Sequence, residues 1–162
     1  MAKSREIPLT QGKTAIVDSE DFDRLCQWRW HYDGSYAKRL FRFDGRQKHL
    51  TMQSHIIDCP EGLCIDHINR DRLDNRKENL RVCTNAENGL NRSRRKDNTS
   101  GFKGVTWHPQ TKKWRAIITV NKNTRSLGLF LDRRTAALIY DLNAQKLHGV
   151  FAALNFPRRH QR

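Results

Sequence analysis

A chain of 162 residues that is 36% hydrophobic and 30% charged can bury one modest core or two small ones. It has no apolar run near the roughly 18 residues that span a bilayer, and no apolar segment behind Met1-Ala2-Lys3-Ser4-Arg5 to act as a secretory signal, so a soluble protein is expected. Its net charge of +14 is uneven: residues 1–90 hold 15 Lys and Arg against 14 Asp and Glu, and residues 91–162 hold 16 against 3, so the second half is expected to bind a polyanion, nucleic acid before a membrane surface.

In chain order, I-P-L-T and T-A-I-V-D predict two strands around Gln11-Gly12-Lys13. The acidic start D-S-E-D, with Phe22, Leu25 and Trp28 at helical spacing, predicts a short helix. S-Y-A-K-R-L-F-R-F and Q-K-H-L-T-M-Q predict a hairpin turning at Asp44-Gly45. Trp28, Trp30, Tyr32 and Tyr36 read as a small aromatic core, with a base-stacking platform as the alternative. His55 reads as a surface or core histidine. Cys26, Cys59, Cys64 and Cys83 form no C-x-x-C pair and are expected to be reduced and mostly buried.

The stretch from Ile65 to Asn88 concentrates the residues that metal-assisted hydrolysis requires. Asp66 stands beside His67, the amides Asn79 and Asn88 follow, and Leu80-Arg81-Val82-Cys83 is β-prone. Thr84 and Glu87 then give the S/T-x-x-E signature of a helix start. Strand, polar loop, strand and helix can bring Asp66 and Asn88 onto one small cation, and oxygen donors without thiolate suit Mg²⁺ or Mn²⁺. Asp71, Asp74 and Asn75 read as turn formers.

This stretch resembles the HNH motif of phage and bacterial homing endonucleases, whose nuclease unit is a ββα-metal fold. The resemblance implies that Asp66 and Asn88 are metal ligands, that His67 is the general base and that Asn79 braces the loop. Asn at the final position favours Mg²⁺ or Mn²⁺ over Zn²⁺.

Residues 91–100 are polar and Arg-rich, a linker by composition. Arg92, Arg94, Arg95 and Lys96 are placed to follow DNA phosphates, the alternative being a solvated hinge. Beyond it, F-K-G-V-T-W, K-W-R-A-I-I-T-V and T-R-S-L-G-L-F predict three strands. A helix follows, from Asp132 to the stop at Gly149, with Ala136, Ile139, Tyr140 and Leu147 on its apolar face. Strand alternation turns Trp114, Ala116, Ile118 and Val120 to that helix and Arg115, Ile117 and Thr119 outward.

Residues 101–157 resemble the plant APETALA/ethylene-response-factor DNA-binding domain, through Gly104-Val105, Trp114, Leu127-Gly128, Phe130, A-A-L-I-Y-D and L-N-F-P. The resemblance implies a sheet that enters the major groove, with Lys103, Arg115 and Arg125 on or beside the reading face. Thr106, His108, Thr119 and Ser126 depart from the plant pattern, so its target sequence does not carry over.

The expected fold class is α+β: residues 1–90 form a nuclease domain with a β-rich leader, 91–100 a basic linker, 101–157 a sheet-helix module and 158–162 a basic tail. The expected function is a metal-dependent, site-directed endonuclease that nicks double-stranded DNA as a monomer, in the cytoplasm of a bacterial or phage-infected cell. The alternatives are a DNA-binding regulator with an inactive nuclease unit and an RNA-processing enzyme.

Overall fold

The computed structural model describes residues 3–157, so the basic tail expected at 158–162 lies outside the described residues. The chain is α+β and divides into two compact units, Met1–Asn88 and Gly89–Arg162.

The first unit begins with the antiparallel pair β1 (Ser4–Pro8) and β2 (Thr14–Asp18), followed by helix α1 (Ser19–Cys26). Strands β3 (His31–Tyr32), β4 (Ala37–Phe43) and β5 (Arg46–Thr51) form a three-stranded sheet. Its β4–β5 hairpin turns at Asp44-Gly45, where φ is 50° and 68°; two consecutive left-handed residues match the twist of the flanking strands. The expected strand through Gln53 ends instead at Thr51, and α2 (Gln53–Ile56) follows. The local cause is a side-chain turn: the Ser54 hydroxyl donates to the Thr51 carbonyl at 2.8 Å.

Ile7, Ala15, Val17, Leu25, Trp30, Ala37 and Met52 form the core of this unit. Only one of the four expected core aromatics, Trp30, is fully buried, with its indole N–H donating to the Leu25 carbonyl at 2.8 Å. Trp28 is 44% exposed and lies under the Arg39 guanidinium, 4.0 Å from the ring centre. Tyr32 and Tyr36 are half-buried. The cysteines depart from expectation too, since Cys83 is buried while Cys26 is exposed and Cys59 and Cys64 are intermediate.

Strands β6 (Cys64–His67) and β7 (Leu80–Cys83) pair antiparallel, and α3 (Asn85–Leu90) follows. The expected capping box is present: the Thr84 backbone N–H donates to Glu87 Oε2 at 2.8 Å, and the Glu87 N–H returns to Thr84 Oγ1 at 3.2 Å.

In the second unit, β8 (Val105–His108), β9 (Lys113–Val120) and β10 (Asn123–Phe130) form an antiparallel sheet in the order β10-β9-β8, and α4 (Arg133–His148) packs on it. Asp132 caps α4 by accepting the Thr135 N–H at 2.7 Å. The buried face is Ala136, Ala137, Tyr140, Asp141 and Ala144. Leu147, expected on that face, is 41% exposed. The three alanines let the helix sit close to the sheet, and the closest approach is at Gly104, where a Cβ would meet the Tyr140 ring at 2.0 Å.

Asp141 is turned inward because it closes the C-terminal segment, accepting the N–H groups of Asn155 and Phe156 at 2.8 Å each. Asn155 in turn brackets Lys103, accepting its N–H at 2.7 Å and donating to its carbonyl at 3.0 Å. Residues 91–100 are fastened within this unit as well: Lys103 Nζ donates to the carbonyls of Leu90 and Arg92 at 2.6 and 2.7 Å, and Asn98 Nδ2 to that of Phe102 at 2.9 Å.

Candidate active site

Regular strand stops where the sequence needs it to. Cys64 and Asp66, two residues apart, share one face of β6, and His67 takes the other. After His67 the chain turns, with the Arg70 N–H on the His67 carbonyl at 2.9 Å and Arg70 at a φ of 69°. Both side chains are buried, Asp66 at 6% and His67 at 4% exposure.

Asp66 is held across the strand pair by Arg81, its register partner on β7. The guanidinium donates from both Nε and Nη2 to Asp66 Oδ2, at 3.0 and 2.6 Å. Asn88, on the first turn of α3, reaches the same face of β6 as Asp66: its Nδ2 lies 3.5 Å from Cys64 Sγ. Cys64 and Cys83 face each other with 3.6 Å between their sulfurs. Burial, then the Cys64 neighbour, push the Cys83 thiol up to about 12, so this buried thiol stays protonated at neutral pH.

His67 Nε2 lies 3.2 Å from Asn75 Oδ1, and its ring centre is 6.1 Å from that of Tyr36. Arg72 stacks on the far partner of this pair, 4.7 Å from the Tyr36 ring centre. Burial of the imidazole lowers the His67 pKa below 6.5, against smaller raising effects from the Asn75 hydrogen bond and from Asp66, Asp71 and Asp74. The ring is therefore neutral at physiological pH, as a proton acceptor must be.

The loop between the strands is a cage of polar cross-links. Asn79 Oδ1 accepts the Asn69 N–H at 2.9 Å and its Nδ2 donates to the Asp74 carbonyl at 2.7 Å, so Asn79 ties both ends of the loop together. Arg76 grips Asp74 through Nε and Nη2, each at 2.8 Å. The leader holds this cage from outside: Ile16 forms a parallel bridge to Asp74, and Asp18 Oδ2 accepts the Lys77 N–H at 2.8 Å. His55 accepts from Arg39 Nε at 2.7 Å and meets Trp30 edge-on, which makes it a packing histidine of the leader.

The donor set fits a small hard cation. Among the described residues no three His, Cys, Asp or Glu side chains cluster as a cage. A cation here would draw on one carboxylate and one amide oxygen and complete its shell with water and phosphate, the habit of Mg²⁺. The sequence reads Asn75 as a turn former and Tyr36 as a core aromatic, and it gives Arg81 no role. For Arg81 a signal existed, since antiparallel pairing of the two β-prone runs sets it opposite Asp66.

In the second unit Arg92, Arg94, Arg95 and Lys96 are exposed. Arg94 and Arg95 line a cavity of about 490 Å³ together with Thr106, Ile117 and Thr119. Arg115 pairs in register with Thr106 and Leu129, and its Nε is buried with no hydrogen-bond partner among the described residues. Thr119 is exposed, with its hydroxyl 2.9 Å from that of Thr124. Arg125 is the exception: it pairs with Ile118, whose side chain is in the helix-side core, so the register sets Arg125 on the opposite face from Arg115. Lys103 is committed to the Leu90 and Arg92 carbonyls.

Residues 55–90 match the family model described as HNH endonuclease. The chain is 28% identical over 147 residues to an uncharacterised HNH endonuclease of Acanthamoeba polyphaga mimivirus, covering 90% of this chain and 76% of that one. It is 38% identical over 96 residues to protein 3.8 of Escherichia phage T7, covering 57% of this chain and 76% of that protein. No solved structure matches the chain. No helix among the described residues is long and apolar enough to cross a membrane. With Asp66 and His67 at the end of β6, Asn79 fastening the loop and Asn88 in the first turn of α3, all inside or beside the matched stretch, the chain belongs to the HNH endonuclease family.

Proposed function

We propose that this nuclease is a metal-dependent, site-directed endonuclease of the phage homing type that nicks double-stranded DNA as a monomer. His67, neutral and oriented by its buried surroundings, takes a proton from a water in line with the scissile P–O bond. A divalent ion, Mg²⁺ or Mn²⁺, held by oxygens of Asp66 and Asn88, would neutralise charge on the phosphate and on the leaving 3′ oxygen. Arg81 fixes the Asp66 carboxylate, and Asn79 keeps the loop closed so that His67 meets its water in one geometry. One such centre per chain gives one cut per binding event.

The second unit is the DNA-binding module in this reading, an APETALA/ethylene-response-factor-like sheet and helix. Arg115 and Thr119 read bases from the outward face of β9. Arg92, Arg94, Arg95 and Lys96 follow phosphates. Lys103 serves by fastening their segment, and Arg125, on the other face, contributes charge.

The observation that carries the proposal is His67 itself: buried at the end of β6, next to an acidic residue, and kept neutral by burial. The test is a supercoiled-plasmid assay with Mg²⁺ or Mn²⁺. Wild type should give open circles before linear product, and His67→Ala should give neither while binding DNA as tightly. Linear product appearing without an open-circle phase would overturn the single-strand assignment.

A further inference from the structure

Asn75 is fully buried, at 0% exposure, and both ends of its side-chain amide and its backbone N–H are hydrogen-bonded. Its side-chain Nδ2 donates to the Leu73 carbonyl at 3.2 Å, and its backbone N–H donates to the Ile16 carbonyl at 2.7 Å. The Leu73 carbonyl also accepts the Ile16 N–H at 2.8 Å. These contacts fix which way the amide points. Turned over, its oxygen would face the Leu73 carbonyl oxygen at hydrogen-bond distance, two acceptors without a hydrogen between them. The amide oxygen therefore faces His67 Nε2, at 3.2 Å, and an oxygen in that position accepts.

From this we infer that Asn75 is a positioning residue which selects the tautomer of His67, and that strand β2 of the leader sets Asn75. With Oδ1 as acceptor, the neutral ring carries its hydrogen on Nε2, and the lone pair that takes a proton is on Nδ1. The choice is between two neutral forms of equal charge. The Nδ1 edge adjoins the main chain at the end of β6, next to Asp66, whereas Nε2 points into the loop cage. A base with its lone pair on Nε2 would face Asn75 instead of a water. The N-terminal hairpin thus belongs to the cleavage machinery through a chain of three links: the Ile16 backbone holds Leu73 and Asn75, and Asn75 holds His67. The catalytic consequence rests on His67 being the base, as proposed above, but the tautomer does not.

The test uses the full-length, ¹⁵N-labelled protein without metal at pH 8, where the His67 ring, its pKa lowered from 6.5 by burial, is neutral. Long-range ¹H–¹⁵N spectra report the tautomer of each of the seven histidines, and His67 is assigned by the signals lost in His67→Asn. The expected result is the Nε2–H form, with a ring N–H proton protected enough from exchange to be seen. In Asn75→Ala that protection should vanish, and nicking should fall about ten- to a hundredfold in kcat, the usual scale for removing a partner that orients a functional histidine, with DNA affinity unchanged. Asn75→Asp, which keeps an acceptor oxygen, should restore most of the rate. A wild-type spectrum showing hydrogen on Nδ1 overturns the inference even if no Asn75 variant folds. So does a folded Asn75→Ala protein that nicks at the wild-type rate. If the tautomer is as expected but His67→Ala still nicks, the base assignment is what has failed, and Asn75's part in catalysis falls with it.

Discussion

Arg81 lies directly across the strand pair from Asp66 and spends two of its donors, Nε and Nη2, on the single oxygen Oδ2. Both partners are largely buried, so the pair is worth less as attraction than as constraint: removing one member strands the other charge in a poor solvent. Arg81→Ala should therefore lower stability by about 3–5 kcal/mol. A divalent cation should recover part of this loss, since it would supply the missing positive charge to Asp66. Thermal melts of the variant with and without Mg²⁺ check this, and a melt indifferent to Mg²⁺ would count against Asp66 as a metal ligand.

His67→Ala and Asp66→Ala should each abolish cleavage and leave DNA affinity nearly unchanged, Asp66→Ala with a raised metal requirement. In the wild type the rate should rise with pH as His67 loses its proton. Because burial lowers its pKa, the midpoint should fall below 6.5. The stability linkage has the same sign: the folded state disfavours the charged ring, so this contribution is intact above about pH 6.5 and is lost as pH falls through the lowered value. Rates under single-turnover conditions from pH 5 to 8 provide the check, and a flat profile would exclude His67 as base.

Gly104→Ala should unfold the second unit or cost it several kcal/mol. The position combines a φ of +73° with the Tyr140 ring at 2.0 Å and the Ile117 carbonyl oxygen at 2.8 Å from the added Cβ. Circular dichroism of a 89–162 fragment would measure it. The same fragment should be more stable than 101–162, which lacks the Leu90 and Arg92 carbonyls that hold Lys103.

Affinity for duplex DNA should fall steeply with salt. With about six phosphates contacted, the slope of log K against log salt should be near −5, at about −0.9 for each. Arg94→Ala and Arg95→Ala should each reduce it by about one without changing the preferred site. Arg115→Ala should blur that preference, and Arg125→Ala, on the other face, should not. Specificity that survives loss of Arg115 and disappears with Arg94 would move the reading surface from β9 to the 91–100 segment.

Elements with strong local signals were legible in the sequence. The Asp44-Gly45 turn, the Thr84–Glu87 capping box, the Asp132 cap and the three strands of the basic half each depend on residues within a few positions of one another. What escaped depends on register and on contacts distant in sequence. Trp28 and Trp30 look alike as letters, and only packing decides that one is core and the other a platform for Arg39. The apolar face of α4 was misdrawn at Leu147 because a helix close to a sheet prefers alanine to leucine. The family resemblance set Arg125 on or beside the face of Arg115, and the register that parts them is visible only in the ladder. Asn75 passed for a turn residue since its partners, Ile16 and His67, are contributed by strands far apart in the chain.

The bridge between Ile16 and the 73–75 segment also limits how such a chain can be cut and recombined. A crossover near residues 88 and 89 exchanges the second unit and leaves the contacts of Asp66, His67 and their loop in one parent. A crossover between residues 18 and 73 draws the leader from one parent and its loop from the other, and the two must then agree in backbone spacing at Ile16, Leu73 and Asn75. The second unit is thus the part most readily exchanged by shuffling, while the leader and the loop are inherited together.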